Sequence, residues 1–172
     1  MTDRPPASAP PVPASGPDFS GRRVLITGGG SGVGAAMAHR FAAAGAEVVI
    51  SGRRAAALAA VAAASDSITG HVCDVSDAAA VTGLFDFACA DGRAPDIVIA
   101  NAGIAASAPF DKTDLSLWDQ IIAVNLTGPF LTLSEGLRRL KAHAGPGGVA
   151  GGRLIAIASM TAKRAYPYIS AY

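Results

Sequence analysis

Short apolar runs rich in β-branched residues alternate along this chain with longer stretches whose apolar positions recur every three or four residues. The runs at residues 22–27, 47–51, 68–72, 97–100 and 153–158 predict five buried strands. After the first, Val33, Met37, Phe41 and Ala44 fall on one face of a helix that Gly45 should end. Residues 55–64 form an alanine-rich helical stretch. Val81, Leu84, Phe85, Ala88 and Cys89 share one face of a third helix, with Ser76 or Asp77 as its candidate cap. Residues 115–143 predict one long helix, kinked at Gly128-Pro129. Its apolar side chains, among them Trp118, Ile121, Val124 and Leu137, lie on more than one side, so a second cover besides the sheet is expected. The glycine-rich stretch 145–152 precedes a strand and reads as a loop. Strands alternating with helices at this spacing imply right-handed βαβ crossovers. The predicted fold is α/β, a doubly wound parallel sheet in the order 3-2-1-4-5 with both faces covered.

The first strand runs directly into Gly28-Gly29-Gly30-Ser31-Gly32-Val33-Gly34, and a helical pattern follows. Strand, glycine turn and helix together present free backbone N–H groups and a positive dipole end to a pyrophosphate. The turn satisfies G-x-G-x-x-[GA] through Gly30, Gly32 and Ala35, and T-G-x-x-x-G-x-G through Thr27, Gly28, Gly32 and Gly34. No Gly-Lys-Ser/Thr follows, which argues against a nucleoside triphosphatase loop.

Composition narrows the field. The length of 172 residues suits one domain, expected over 19–172. Residues 1–18 read as a disordered Pro/Ala-rich tail, since six of the eleven prolines fall before residue 18. A net charge of +1, with basic pairs only at Arg22-Arg23, Arg53-Arg54 and Arg138-Arg139, disfavours a nucleic-acid partner. Cys73 and Cys89 suit neither a disulfide framework nor a zinc site. His39, His71 and His143 show no metal spacing and read as surface or helix-flank residues. No apolar run approaches a membrane span and no signal-peptide core is present, so a cytoplasmic protein without a membrane partner is expected.

Five motifs in order then carry a resemblance: the turn at residues 27–34, Asp74-Val75, Asn101-Ala102-Gly103, Asn125-Leu126-Thr127-Gly128, and Ser159 followed thirteen residues later by Tyr172. In these the chain resembles the short-chain dehydrogenase/reductase family, in its small single-domain branch with a Rossmann fold. The resemblance runs from about residue 19 to the end. It implies hydride transfer between a nicotinamide cofactor and a carbonyl or alcohol small molecule. Cofactor contacts are implied for Gly28, Gly30, Ser31, Gly32, Val33, Gly34, Asp74, Val75, Asn101, Ala102 and Gly103. Tyr172 is implied as general acid/base, Ser159 as hydrogen-bond donor to the substrate oxygen, and Asn125 as holder of a relay water.

The end of the second strand, Ser51-Gly52-Arg53-Arg54, carries no carboxylate for a ribose 2′-OH. Two guanidiniums suit a 2′-phosphate instead, so NADP is expected over NAD, with Arg53 and Arg54 as contacts. The family's lysine, four residues past the tyrosine, has no counterpart before the chain stops at Tyr172, and Lys163 is a poor substitute. The expectation is therefore a chain lacking the sixth and seventh strands, inactive alone and part of a homo-oligomer at full length. A nucleotide-binding relic without catalysis is the competing reading. A sugar-nucleotide epimerase is weaker, because Ser31 occupies the place of that group's second glycine.

Overall fold

The computed structural model describes residues 16–144, 151–164, 167–168 and 172. Most of the expected tail, most of the glycine-rich loop and most of the approach to Tyr172 lie outside them.

Five strands, β1 (Arg23–Thr27), β2 (Glu47–Gly52), β3 (Ile68–Val72), β4 (Ile97–Ala100) and β5 (Arg153–Ala156), form one sheet in the order β3-β2-β1-β4-β5. Every pairing is parallel. The helices are α1 (Gly32–Ala43), α2 (Ala55–Ala62), α3 (Ala78–Ala88), α4 (Leu115–Ile122) and α5 (Gly128–Ala144).

The middles of the inner strands, such as Val24-Leu25-Ile26, Val48-Val49-Ile50 and Ile97-Val98-Ile99, are apolar throughout because alternate side chains enter two different cores. Val24, Ile26, Val48, Ile50, Ile68, Ile97 and Ile99 pack on α1 and α2 through Ala38, Leu58 and Val61. Leu25, Val49 and Val98 point the other way, onto Val81, Leu84, Phe85 and Ala88 of α3, with Leu131 and Leu133 of α5 alongside. Each such large side chain, fully buried, stabilises the fold by roughly 1.5–3 kcal/mol.

Helix ends follow their local chemistry. Gly45 follows α1 with φ +89°, and its N–H reaches the Ala42 carbonyl at 3.0 Å. Of the two cap candidates for α3, Asp77 takes the role, its Oδ1 accepting from Ala79 and Ala80 N–H at 2.8 and 3.3 Å. Asp114 caps α4 by accepting from Leu117 N–H at 2.8 Å. His71 is on edge strand β3, stacked on Phe87 with centroids 4.8 Å apart, rather than on a helix flank.

The long helix departs from expectation. Instead of one kinked α-helix, α4 and α5 are joined by a π-helical segment, Ala123–Thr127, with Gly128 N–H bonded to Ala123 C=O. Pro129 supplies the reason. It has no N–H to offer the carbonyl of Asn125, and its ring crowds that carbonyl, so the α pattern cannot pass through this turn. One side of α5 is buried through Gly128, Thr132 and Gly136, while Trp118, Leu126 and Phe130 stay exposed. Only one of the two expected covers is therefore supplied by the described residues.

At the amino ends of the strands, the nearly buried side chain of Arg23 ties β1 to β2, to the end of α3 and to the loop after it. It donates to Asp91 at 2.6 and 2.7 Å, to Glu47 at 2.7 Å, and to the carbonyls of Ala88 and Arg93 at 2.8 and 3.1 Å. Asp96, just before β4, accepts from Arg23 N–H at 2.8 Å and pairs with Arg22. This network fixes one end of the sheet and leaves the carboxyl ends to form the cleft.

Candidate active site

The carboxyl ends of β1, β2 and β4 open onto a cleft of about 360 Å³. The cleft lies where β1 leads to β2 on one side and the chain crosses to β4 on the other, the switch point at which doubly wound sheets bind ligands.

The glycine turn is built against its neighbours. Gly29 N–H donates to Ser51 C=O at 2.9 Å, which ties the turn to β2. A Cβ on Gly34 would sit 2.2 Å from the Gly28 carbonyl oxygen and 2.7 Å from Asn101 Nδ2, so the helix can start this close to the strand only with glycine there. Asn101 closes the other side. Its Nδ2 donates to Thr27 C=O at 2.9 Å, and Thr27 Oγ1 accepts from the N–H groups of Asn101 and Ala102 at 3.1 Å each. Ser31 stands at the N-cap of α1 without making a cap hydrogen bond, and no acidic residue occupies the first turn. The first amides of α1 therefore have no side-chain acceptor of their own. The Ser31 hydroxyl instead accepts from Arg54 Nη2 at 3.3 Å.

Around this turn the structure gathers Gly28, Gly30, Ser31, Val33, Gly34, Arg53, Arg54, Asp74, Val75, Asn101, Ala102 and Gly103 as cleft lining. Gly32 is absent from the lining; it starts α1 with φ +55°. Asp74 Oδ1 accepts from Ser76 Oγ–H at 2.7 Å and Ser76 N–H at 3.0 Å. Those bonds, with the nearby charge of Arg53, hold its carboxyl below the usual carboxylate range. Leu58, Cys73, Ile104 and Val124 also line the cleft and escaped the sequence reading. Leu58 was legible only as part of the alanine-rich helical stretch 55–64; its place under Gly30 arises from tertiary packing. Burial pushes the Cys73 thiol up to about 11, which keeps it neutral and unreactive.

The three residues implied in catalysis are placed differently. Asn125 sits in the π segment beside the cleft, and both ends of its side-chain amide are engaged. Its Oδ1 accepts from Ile104 N–H at 2.9 Å and its Nδ2 donates to Ile104 C=O at 2.8 Å. Ser159 follows β5 and caps a 3₁₀ turn, Met160–Ala162, by accepting from Thr161 N–H at 3.2 Å. Tyr172 is exposed. Neither Ser159 nor Tyr172 is among the cleft-lining residues.

A parallel sheet wound on both faces, with a glycine turn and an uncapped helix at its switch point, defines a dinucleotide-binding α/β protein. The short chain dehydrogenase family model matches residues 22–172, and the chain belongs to that family. D-threitol dehydrogenase of Mycolicibacterium smegmatis is 37% identical over 132 residues, 74% of this chain and 51% of the relative. The 3beta-hydroxysteroid dehydrogenase 1 of Eggerthella lenta is 37% identical over 131 residues, 73% of this chain and 49% of the relative. The chain thus spans about half the length of these two relatives. The crystal structure of 3-ketoacyl-(acyl-carrier-protein) reductase from Brucella melitensis complexed with NADH matches with a TM-score of 0.83 at 31% identity, covering 90% of this chain and 64% of that one. The family is one of dehydrogenases, and NADH is the ligand of that neighbour.

Proposed function

We propose that these residues form the cofactor cleft and part of the proton-transfer apparatus of an NADP(H)-dependent oxidoreductase acting on a small carbonyl or alcohol. One observation carries the cofactor choice. The uncapped amino end of α1 shares its cleft with Arg53 and Arg54, and no carboxylate stands at the end of β2. Amide donors at the helix end suit a pyrophosphate, and guanidiniums suit a 2′-phosphate that a carboxylate would repel.

Bound nicotinamide supplies hydride exchange with the substrate carbon. The chain's own residues would hold and protonate the substrate oxygen. Ser159 Oγ is oriented as acceptor by Thr161 N–H, which leaves its own proton to donate toward that oxygen. Tyr172 would exchange the proton through its phenolic oxygen. With the Asn125 amide engaged by Ile104, and Pro129 unable to donate to the Asn125 carbonyl, that main-chain oxygen is the place for a relay water. The apolar side that Trp118, Leu126 and Phe130 leave exposed supports a homo-oligomer. The same reading keeps a cytoplasmic enzyme without a nucleic-acid or membrane partner.

The test is a titration of the chain with NADPH and NADH, followed by cofactor fluorescence. NADPH should bind at least tenfold more tightly, in line with charge-assisted contacts of about 1.5–3 kcal/mol. Equal affinities, or a preference for NADH, would refute the NADP assignment.

A further inference from the structure

Val33, Met37, Phe41 and Ala44 share one apolar face of α1, yet they do not carry the burial of that helix. Gly34 and Ala38 do, while Val33 is 64% exposed and Met37 and Phe41 are only partly buried. The apolar face instead lines a groove of about 440 Å³, whose opposite wall is the incoming chain at Pro17 and Phe19. Phe19 fixes where that chain enters. Its N–H donates to Ala44 C=O at 2.8 Å, and its ring meets Phe41 edge-on with centroids 4.9 Å apart. Both contacts lie at the carboxyl end of α1, so the groove extends from Pro17 along the helix to Val33.

The residues that lead into Pro17 have the chemistry and the length to fill it. Residues 5–16 carry no charge and are mostly proline and alanine. From Val33 to Ala44 the helix rises about 16 Å, at ~1.5 Å per residue. In polyproline II form, at ~3.1 Å per residue, the stretch 11–16 reaches about 19 Å. That form repeats every three residues, so Pro11 and Ala14 fall on the same side as Pro17, whereas Val12 and Ser15 share another.

We propose that residues 11–16 lie along this groove as a strap on α1, with Pro11 and Ala14 turned into it beside Pro17. The occupant is a segment of the same chain. Val33 also lines the candidate cofactor cleft, so the far end of the strap sits at the mouth of that cleft.

Methyl NMR of the whole 172-residue chain, labelled at methionine, reads the groove directly, because Met37 lines it and the chain has three methionines. Met37→Leu identifies the signal, and Met160, 73% exposed, serves as the reference. A neutral gadolinium chelate in solution should broaden the Met37 signal far less than that of Met160. Pro11→Asp combined with Ala14→Asp should raise the Met37 broadening at least fivefold. Val12→Asp combined with Ser15→Asp, equal in charge but on the other side, should keep it within twofold. Both double variants lie outside every strand and helix, so the fold is retained. Equal broadening in the parent and the Pro11/Ala14 variant would overturn the strap. A Val12/Ser15 variant as accessible as the Pro11/Ala14 one would overturn it too, since the segment would then have no groove side. Protection of Met37 that is lost on tenfold dilution would assign the groove to a second copy of the chain and overturn the strap as well.

Discussion

Asn101 and Thr27 are joined across the carboxyl ends of β4 and β1: the Asn101 amide donates to the Thr27 carbonyl at 2.9 Å, while the Thr27 hydroxyl accepts from Asn101 N–H at 3.1 Å. The exchange closes a joint that two parallel strands cannot close with ladder bonds, because both chains turn away there. Asn101→Ala should therefore lower stability by about 1–2 kcal/mol, and with it the melting temperature by roughly 2–4 °C per kcal/mol. Asn101→Asp should be worse, since it sets a carboxylate against two carbonyl oxygens, those of Thr27 and Gly28. Thermal unfolding of both variants checks the order; an aspartate variant as stable as the parent would count against the joint.

Arg53 lines the cleft, and its charge adds to the Ser76 hydrogen bonds that hold the Asp74 carboxyl below the usual carboxylate range. Arg53→Asp should reverse the cofactor preference by removing the partner of a 2′-phosphate and supplying one for a 2′-hydroxyl. Dissociation constants for NADPH and NADH should cross, each moving by about tenfold, or 1.4 kcal/mol. An unchanged ratio would show that Arg53 does not meet the ribose.

Tyr172 and Ser159 should fail in different ways. In a protein of the relatives' full length carrying these residues, Tyr172→Phe should lower kcat by at least ~10²-fold through loss of the proton donor. Ser159→Ala should lower kcat by a comparable ~10²-fold because a donor to the developing oxyanion is gone. NADPH affinity should be unchanged in both. Steady-state kinetics paired with cofactor titration separates the roles, and near-parental turnover of the phenylalanine variant would remove Tyr172 from the chemistry.

Acid should act through Arg23. Hydrogen bonds from Arg23 hold the carboxyls of Glu47 and Asp91 below the usual range. Both groups are thus more acidic folded than unfolded. Their contribution is complete above the unfolded carboxylate pKa, roughly 4, and is lost as pH falls below it. Denaturant unfolding should show a plateau from neutral pH down to about 5, then a decline. Arg23→Met should lower the plateau by about 1–3 kcal/mol, because the carbonyls of Ala88 and Arg93 lose a charged donor. It should also flatten the acid decline. A variant whose acid limb matches the parent's would show that these carboxylates owe nothing to Arg23.

Much of this was legible in the residues. Strands such as Val48-Val49-Ile50 are apolar on both faces, which is the mark of a covered parallel sheet, and the observed order β3-β2-β1-β4-β5 agrees with that reading. The glycine turn announced itself through five glycines within seven residues directly after a strand pattern. Other features depended on partners far along the chain. Arg22-Arg23 read as one more scattered basic pair, although Arg23 is nearly buried against Asp91, which is remote in sequence. Nor does periodicity report a π turn: Val124, Leu131 and Leu137 suit one long helix, and the signal lay in the missing N–H of Pro129. Ala57 and Leu58 reached the cleft only because Gly30 leaves room above them.

The wide turn at Ala123–Thr127 makes the length of this stretch as constrained as its residues. Because Pro129 bars an α turn here, a stretch one residue shorter would keep the wide turn and arrive beyond it rotated by about 100°, one residue's step of a helix. Gly128 and Gly136 would swing off the sheet, and bulkier side chains would meet places where even a Cβ would stand 2.8 Å from Val75 Cγ2 or 3.1 Å from Val98 Cγ2. The Asn125 amide would leave Ile104 in the same movement. Evolutionary drift in this stretch is thus confined to substitution, and single-residue gaps in the turn are closed to it.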